Sequence, residues 1–288
     1  MQVAKFLPKY LLRHKIIDIL IRFGLQNKFT EICFNGNSNA YIDLTDPEPK
    51  NVFIKRIFEP EFFKITHAFL PKGGTFFDLG SNVGFCSFGL IPQKPTANYH
   101  LFEANAHLIR LLTQSIKLHT DTNFYINHCC LNNLNGKTRF KIQKNQTGQS
   151  HVSSDNIDGI EIPNLVLDDY CDKKKIKSID FAKIDIEGHE LPALEGWGKS
   201  LINHLVKALY IEIIPENQQR YGRETNAPLL YLESLGYTLF LCKESDFRKF
   251  GEDPQKVTLI KDDLMLAKFI AKDYPSDFST DVLALPSF

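Results

Sequence analysis

The sequence predicts an α/β protein, a mostly parallel β-sheet covered by helices on both faces. Apolar runs of strand length alternate along the chain with segments of helical periodicity, as in repeated strand–helix–strand units. One such run, residues 74–78, leads into a turn that Gly80 and Gly84 bracket ahead of a predicted helix. Glycine allows the tight turn and close backbone approach that a ligand-binding loop needs. With 288 residues, the chain can bury one large core.

The N-terminal part is predicted as an extension, residues 1–50, followed by the main domain, residues 51–288. An amphipathic helix is expected at residues 10–23; packing on the core is its simplest role, and a substrate lid or membrane-surface patch is the alternative. The elements expected after it are strands at 32–42 and 52–57 and a helix at 60–70, with Pro60 in its first turn.

The main domain continues the alternation beyond the glycine turn. Asn105 is the predicted N-cap of a helix, and residues 144–160 form a polar surface loop that could close over a ligand. The predicted helices are residues 85–91, 106–118, a short one ending at 194, and 227–235. The predicted strands are residues 99–103, 124–129, 137–142, 179–184, 208–214, 237–241 and 282–285.

Composition narrows the classes of partner. The chain has 34 basic and 34 acidic residues and a pI near 7.1, so nucleic-acid substrates and general attraction to anionic membranes are not expected. No apolar run reaches the ~20 residues of a membrane span, and Asp18 and Arg22 interrupt the run that resembles a signal peptide. The six cysteines lack metal-type spacing, so we expect reduced thiols, no metal and a cytoplasmic protein.

The glycine turn points to a particular class of ligand. It departs from the dinucleotide pattern G-x-G-x-x-G because Asn82 stands at the second glycine. A pyrophosphate needs bare backbone there, whereas S-adenosylmethionine has no phosphate. We expect Asp78 to pair with its ammonium group and Glu103, at the end of the next strand, to accept its ribose hydroxyls.

Five blocks, in order along the chain, carry a resemblance to a known family. They are FEPE at 58–61, FDLGSNVG at 77–84, FEAN at 102–105, LDDY at 167–170 and KIDIEGHE at 183–190. In combination they resemble FkbM-type S-adenosylmethionine-dependent methyltransferases over residues 40–241. The resemblance implies a Rossmann-like class I fold with seven strands, the last antiparallel, and O-methylation of hydroxyls on sugars, glycolipids or polyketides. Ala104 and Ala106 stand where the family usually has prolines.

The motifs and the resemblance together imply the residues of the site. The cofactor-binding set is Glu59, Asp78, Gly80, Asn82, Gly84, Glu103, Asn105, Cys130 and Asp185. His189 is the candidate general base because it closely follows a strand end and has an ordinary pKa near 6.5, with Asp185 orienting it or the acceptor. The alternative is a surface histidine in a first helical turn, with Asp185 as a cap.

Two other functions share these features. A nicotinamide oxidoreductase has the same sheet and ribose carboxylate but requires a glycine at position 82. A catalytically silent cofactor-binding protein would keep the fold without the reaction. The favoured interpretation is an O-methyltransferase acting on a small-molecule, glycan or lipid hydroxyl, with no metal; the sequence predicts neither the acceptor nor the oligomeric state.

Overall fold

The computed structural model describes residues 9–144, 146–155, 157–250, 259–261 and 264–287, so the first eight residues of the predicted extension lie outside it. The helices are α1 Lys9–Arg22, α2 Pro47–Lys55, α3 Pro60–Phe69, α4 Phe85–Leu90, α5 Ala106–Ile116, α6 Leu167–Lys174, α7 Glu190–Glu195, α8 Gly198–Ile202, α9 Pro215–Gln219, α10 Ala227–Ser234 and α11 Glu244–Lys249. The strands are β1 Phe29–Phe34, β2 Ser38–Asp43, β3 Thr75–Leu79, β4 Asn98–Glu103, β5 Asn123–His128, β6 Cys130–Leu131, β7 Gly136–Lys141, β8 His151–Val152, β9 Ile160–Leu165, β10 Phe181–Ile184, β11 Leu209–Ile213, β12 Tyr237–Leu241, β13 Leu259–Lys261, β14 Leu264–Phe269 and β15 Thr280–Pro286.

The main sheet has nine strands in the order β13-β14-β12-β15-β11-β10-β3-β4-β5. Strands β11, β10, β3, β4 and β5 are parallel to their neighbours in that run, and β15 pairs antiparallel with both β11 and β12. The predicted Rossmann-like α/β fold with an antiparallel last strand is therefore confirmed. Strands β13 and β14 extend the expected seven-stranded sheet at one edge.

Strand β3 is an interior strand of the sheet, with aromatic side chains buried on both of its faces. Successive residues of a strand point to opposite faces. Phe76 packs in one core cluster, where its ring lies 6.1 Å from that of Phe181. Phe77 packs in the other cluster, stacked on Trp197 with ring centroids 5.6 Å apart. This double burial fixes the strand that carries the glycine turn.

The predicted strand at residues 52–57 is wrong, because those residues mostly lie in α2. Asp46 caps this helix by accepting a hydrogen bond from the backbone N–H of Glu48, and Pro47 occupies its first turn. An acidic N-cap followed by proline is a strong helix start. A short apolar run such as residues 52–54 is compatible with a strand or a helix, and the N-cap at Asp46 decides for the helix.

The N-terminal elements pack on the main sheet. The β1–β2 hairpin turns at Asn35 and Gly36, and its residues Phe34 and Ile42 lie in the same buried cluster as Phe88 of α4. A second, four-stranded sheet has the order β6-β9-β7-β8. Across the described ranges of the chain, no helix is both long and apolar enough to span a membrane.

Candidate functional site

The ends of three parallel strands surround a cavity at one edge of the sheet. Strands β3, β4 and β10 pair in register, so their carboxyl ends lie side by side. In open α/β sheets, ligands bind at this edge. The cavity contains about 600 Å³ of empty space, including its mouth. We call it the first cavity; Gly80, Asn82, Glu103, Cys130, Asp185 and His189 of the predicted site residues line it.

The turn after β3 requires glycine for both its torsion angle and its packing. Gly80 has a φ of +83°, and a Cβ atom there would lie 1.8 Å from the backbone oxygen of Asp185. Side chains rarely adopt that torsion, and no Cβ fits that distance. Asn82 also has a left-handed φ of +50°. The turn thus brings the loops after β3 and β10 into direct contact.

Glu103 is held at the end of β4 with both carboxylate oxygens oriented. The backbone N–H of Asn82 donates to Oε2 at 2.9 Å, and the backbone N–H of Asn105 donates to Oε1 at 2.7 Å. Only 7% of the residue is exposed. Burial raises the pKa of Glu103 to about 7, although these backbone donors act in the opposite direction. Each oxygen keeps a lone pair that a ligand hydroxyl can use.

Three predicted cofactor residues lie behind the cavity wall rather than on it. Asp78 is fully buried, and its Oδ2 accepts a hydrogen bond from Ser87 at 2.5 Å. Its Oδ1 has no hydrogen-bond partner among the described residues, so direct pairing of Asp78 with an ammonium group stays a prediction. A Cβ at Gly84 would meet Phe88, and Asn105 caps α5 through the N–H of His107.

Asp185 belongs to a partly buried charge network, and its own side chain is 30% exposed. Its Oδ2 lies 2.8 Å from the ammonium of Lys183, which is only 8% exposed. Burial alone would raise the pKa of Asp185, but the charge of Lys183 and a hydrogen bond with Glu212 hold it below its ordinary value. The negative charge of Asp185 raises the pKa of Glu212 well above its usual range, and burial adds a smaller effect in the same direction. This raised pKa favours the protonated form of Glu212, which can donate a hydrogen bond to Asp185.

His189 lies at the N-terminal end of α7 and is 7% exposed. Both of its ring nitrogens lack a hydrogen-bond partner within the described structure, and its ring packs 5.7 Å from that of Tyr221. Burial lowers the pKa of His189 to about 4, and the positive charge of Arg223 adds a smaller effect in the same direction. The ring is therefore neutral at pH 7 and a weaker base than an ordinary pKa of 6.5 implied.

A second cavity adjoins the first and is lined by carboxyl groups. It contains about 820 Å³ of empty space, including its mouth. Asn82, Gly148, Asp185 and Glu187 line both cavities. The acidic residues on its wall are Asp46, Glu48, Glu59, Asp185, Glu187 and Glu212. Of the predicted cofactor residues, Glu59 thus faces the second cavity.

Of the six acidic residues on this wall, the predicted site includes Glu59 and Asp185 but not the other four, two of which are Glu48 and Glu187. Glu48 lies in the first turn of α2 and accepts a hydrogen bond from the side-chain amide of Asn82 at 2.9 Å. The sequence Asp-Pro-Glu at 46–48 is a helix-start signal that would have placed Glu48. Glu187 follows Asp185 by two residues, and its Oε2 accepts from Asn217 at 2.9 Å. The backbone N–H of Gly188 donates to Oε1 of Glu190, and this hydrogen bond stabilises the turn that carries Glu187.

The first cavity fits S-adenosylmethionine better than a dinucleotide. Its wall is largely apolar, as an adenine ring requires, and includes Phe102, Leu108, Leu131 and Phe140. Glu103 supplies acceptors for a ribose diol. Among the described residues on this wall, none is lysine or arginine, the side chains that usually neutralise phosphates. The donors and acceptors present therefore match a nucleoside without phosphate.

The raised pKa of Glu103 predicts how this residue changes stability with pH. Because its pKa is about 7 in the folded protein and near 4.5 in the unfolded chain, the folded state holds the proton more tightly. Its ionisation therefore destabilises the fold as pH rises through that window. Between pH 6 and pH 8 this effect is about 1 kcal/mol in the free energy of unfolding.

Denaturant unfolding of the wild type and of Glu103→Gln at both pH values checks this effect. The wild type should lose about 1 kcal/mol relative to the variant as pH rises from 6 to 8. The variant is needed for comparison because burial lowers the pKa values of His100 and His189. Those two groups make the folded state more stable as pH rises, which opposes the effect of Glu103. An identical pH dependence in both proteins would show that Glu103 is not a proton-binding group of the fold.

The chain is similar to known proteins in both sequence and structure. The sequence model of the family described as "Methyltransferase FkbM domain" matches residues 78–239. No curated protein matches the chain by sequence. Solved structures similar to it include precorrin-6y C5,15-methyltransferase from Geobacter metallireducens GS-15, with 11% identity over 80% of this chain and 88% of that one and a TM-score of 0.43.

Two further solved structures are similar at the same level. One is a TehB-like SAM-dependent methyltransferase from Corynebacterium glutamicum, with 12% identity over 77% of this chain and 92% of that one and a TM-score of 0.40. The other is TYW2 from M. jannaschii in complex with AdoMet, with 11% identity over 90% of this chain and 86% of that one and a TM-score of 0.40.

Proposed function

The chain belongs to the FkbM methyltransferase family, whose methyl donor is S-adenosylmethionine, and from this premise we propose that it methylates a hydroxyl oxygen of a polyhydroxylated acceptor, such as a sugar, glycolipid or polyketide. The observation that supports the acceptor class is the second cavity. It is lined by carboxyl groups and meets the first cavity at Asp185.

The first cavity would hold the cofactor through residues already described. Glu103 accepts the ribose hydroxyls, and apolar side chains such as Phe102 and Leu108 enclose the adenine. Gly80 and Asn82 line the same cavity, where the glycine backbone can lie close to the amino-acid part. Cys130 lines the same wall, and burial raises its thiol pKa to about 12, so it contributes packing rather than charge. When bound, the cofactor supplies an activated methyl group on a sulfonium.

The second cavity suits an acceptor with several hydroxyl groups. A carboxylate accepts hydrogen bonds and donates none, so a wall of carboxylates selects groups that donate. Burial raises the pKa values of Glu48 and Glu187 to about 7, followed by a smaller effect of the Asp185 charge. These two groups are therefore partly neutral at pH 7, which lessens the repulsion along the wall and the attraction for cations.

Asp185 is the residue best placed to take the proton from the acceptor hydroxyl. It lies where the cavities meet, whereas His189 lines the first cavity and, among the described residues, is not on the wall of the second. Lys183 keeps Asp185 ionised, and Glu212 orients it. An oxygen that has gained a methyl group but kept its proton is strongly acidic, so a carboxylate of low pKa is a sufficient base.

His189 then has a different role in the proposal from the one its sequence position predicted. Its ring is buried, neutral and unpaired with any described group, and it faces the cavity assigned to the cofactor. A neutral imidazole carries one donor and one acceptor. It would therefore hydrogen-bond the cofactor, while positioning of the acceptor and its proton transfer fall to Asp185.

Isotope labelling tests this function. The purified protein is incubated with S-adenosylmethionine carrying ¹³C in its methyl group and with extracts of hydroxylated small molecules, glycans and lipids. The ¹³C chemical shift of the product distinguishes a methyl ether from an N-methyl or C-methyl group. We expect a methyl ether on a compound with several hydroxyls.

Two outcomes would contradict the proposal. Labelled N-methyl or C-methyl products would assign another acceptor atom. Cofactor binding by calorimetry, without label transfer in any extract, would favour a catalytically silent cofactor-binding protein. Cells that make the protein can be compared with cells that lack it, so that the natural acceptor is among the compounds tested.

A further inference from the structure

Helix α1 and Phe23, the residue that follows it, present a row of exposed apolar side chains. Leu12, Ile16, Ile19 and Phe23 recur at intervals of four, three and four residues, which places them on one helical face. Their exposed fractions are 53%, 46%, 53% and 72%. The helix reaches the core through a different face, where Ile17 is buried at 7% exposure. We call the four exposed residues the apolar stripe.

Basic side chains border the apolar stripe on both sides. With about 100° between successive residues of an α-helix, Lys15 and Arg22 lie on one flank and Arg13 lies on the other. All three are exposed. The single acidic residue of the helix, Asp18, is paired with Lys50 of α2 at 2.5 Å. The exposed face is therefore apolar at its centre and positive at its edges, although the chain as a whole has no net charge.

The helix is attached beside the second cavity. The ring nitrogen Nε2 of His14 lies 2.7 Å from Oδ1 of Asn51, and Asn51 lines that cavity. The ion pair between Asp18 and Lys50 fixes the same two helices one turn further on. The apolar stripe and the second cavity are thus connected through α2.

We propose that α1 binds the surface of an anionic lipid bilayer. An apolar stripe bordered by lysine and arginine lies in the plane of a membrane interface, with its apolar side chains at the boundary between headgroups and acyl chains. Arg13, Lys15 and Arg22 would approach the lipid phosphates, where each basic residue adds to the binding. A protein partner with an acidic groove is the competing occupant, and the charge-flanked geometry favours the bilayer. The proposal does not rest on methyl transfer.

Vesicle sedimentation of the full-length protein tests the proposal without cofactor or acceptor. The two probes are phosphatidylcholine vesicles and vesicles that also contain phosphatidylglycerol. We expect at least tenfold tighter binding to the anionic vesicles, weakening as salt is added. Replacing Arg13, Lys15 and Arg22 with glutamine should remove this preference. The double variant Ile19→Ser, Phe23→Ser should weaken binding to the anionic vesicles at least tenfold.

The control variant is Leu134→Ser, Ile202→Ser, which removes two exposed apolar side chains elsewhere, 71% and 61% exposed. It should bind the anionic vesicles like the wild type, and unfolding curves should show that all variants are folded. Equal binding of the wild type to both vesicles, or unchanged binding after the stripe variants, would overturn the proposal. So would a protein dimer in light scattering that Ile19→Ser, Phe23→Ser dissociates, because the stripe would then be a subunit interface.

Discussion

Replacing Asp185 with asparagine is expected to slow methyl transfer roughly a hundredfold or more in single turnover at saturating cofactor. A general base contributes about 10²–10⁴-fold, and Asp185 is the ionised carboxylate at the junction of the two cavities. Asparagine keeps the size of the side chain but cannot accept a proton at neutral pH. The rate is measured with the acceptor that labelling identifies, so that binding and chemistry are separated.

The variant needs two controls because Asp185 also neutralises the buried Lys183. Loss of one partner of a buried ion pair is destabilising, so folding and S-adenosylmethionine binding of Asp185→Asn are checked first. Glu187→Gln is the matched variant, since Glu187 lines the same two cavities. We expect its rate to fall less than about tenfold, as for a group that binds without taking the proton. Similar losses in both variants would mean that the cavity's charge, and not the Asp185 carboxylate, is required.

Replacing Glu103 with alanine is expected to weaken S-adenosylmethionine binding at least roughly tenfold. Hydrogen bonds to a charged group contribute about 1.5–3 kcal/mol each, and 1.4 kcal/mol is a factor of ten in Kd. Both oxygens of Glu103 are already oriented by backbone N–H groups, so no further ordering is needed on binding. Calorimetry gives the dissociation constant directly.

The control for this variant is Glu161→Ala, which removes the same charge from an exposed site on β9. Its cofactor affinity should equal that of the wild type. Glu103→Ala must also be shown to be folded, because its carboxylate tethers the backbone at Asn82 and Asn105. Folded Glu103→Ala with unchanged affinity would remove Glu103 from the cofactor site.

The fold was predictable wherever local signals agreed with tertiary packing. The predicted strands at residues 74–78 and 99–103 are short, mostly apolar runs next to turn residues, and they correspond to β3 and β4 within one residue at each end. The error at residues 52–57 arose where a helix cap lies six residues before the apolar run that it controls. Strands β13 and β14 lie beyond residues 40–241, to which the family resemblance extends. They add to one edge of the sheet, where β14 pairs with β12, a strand distant in sequence, and such pairing is not visible in a local pattern.

The site was predictable to the level of strand ends but not of side-chain direction. Glu103 and Asp185 directly follow or end buried strands, so the topology of the sheet brings them to one edge. The direction of a strand side chain depends on the pleat, and Asp78 of β3 lies off the cavity wall with its Oδ2 accepting from Ser87. The pKa of His189 likewise depends on burial by Tyr221 and neighbouring loops, which no local pattern reports.

A crystal structure of the protein with S-adenosylhomocysteine and the acceptor identified by labelling tests the role of Asp185 most directly. We expect the oxygen to be methylated to lie in the second cavity, within about 2.6–3.2 Å of the Asp185 carboxylate. We also expect Glu103 to accept the ribose hydroxyls in the first cavity. An acceptor oxygen bound beside His189, with Asp185 contacting only Lys183 and Glu212, would contradict that role.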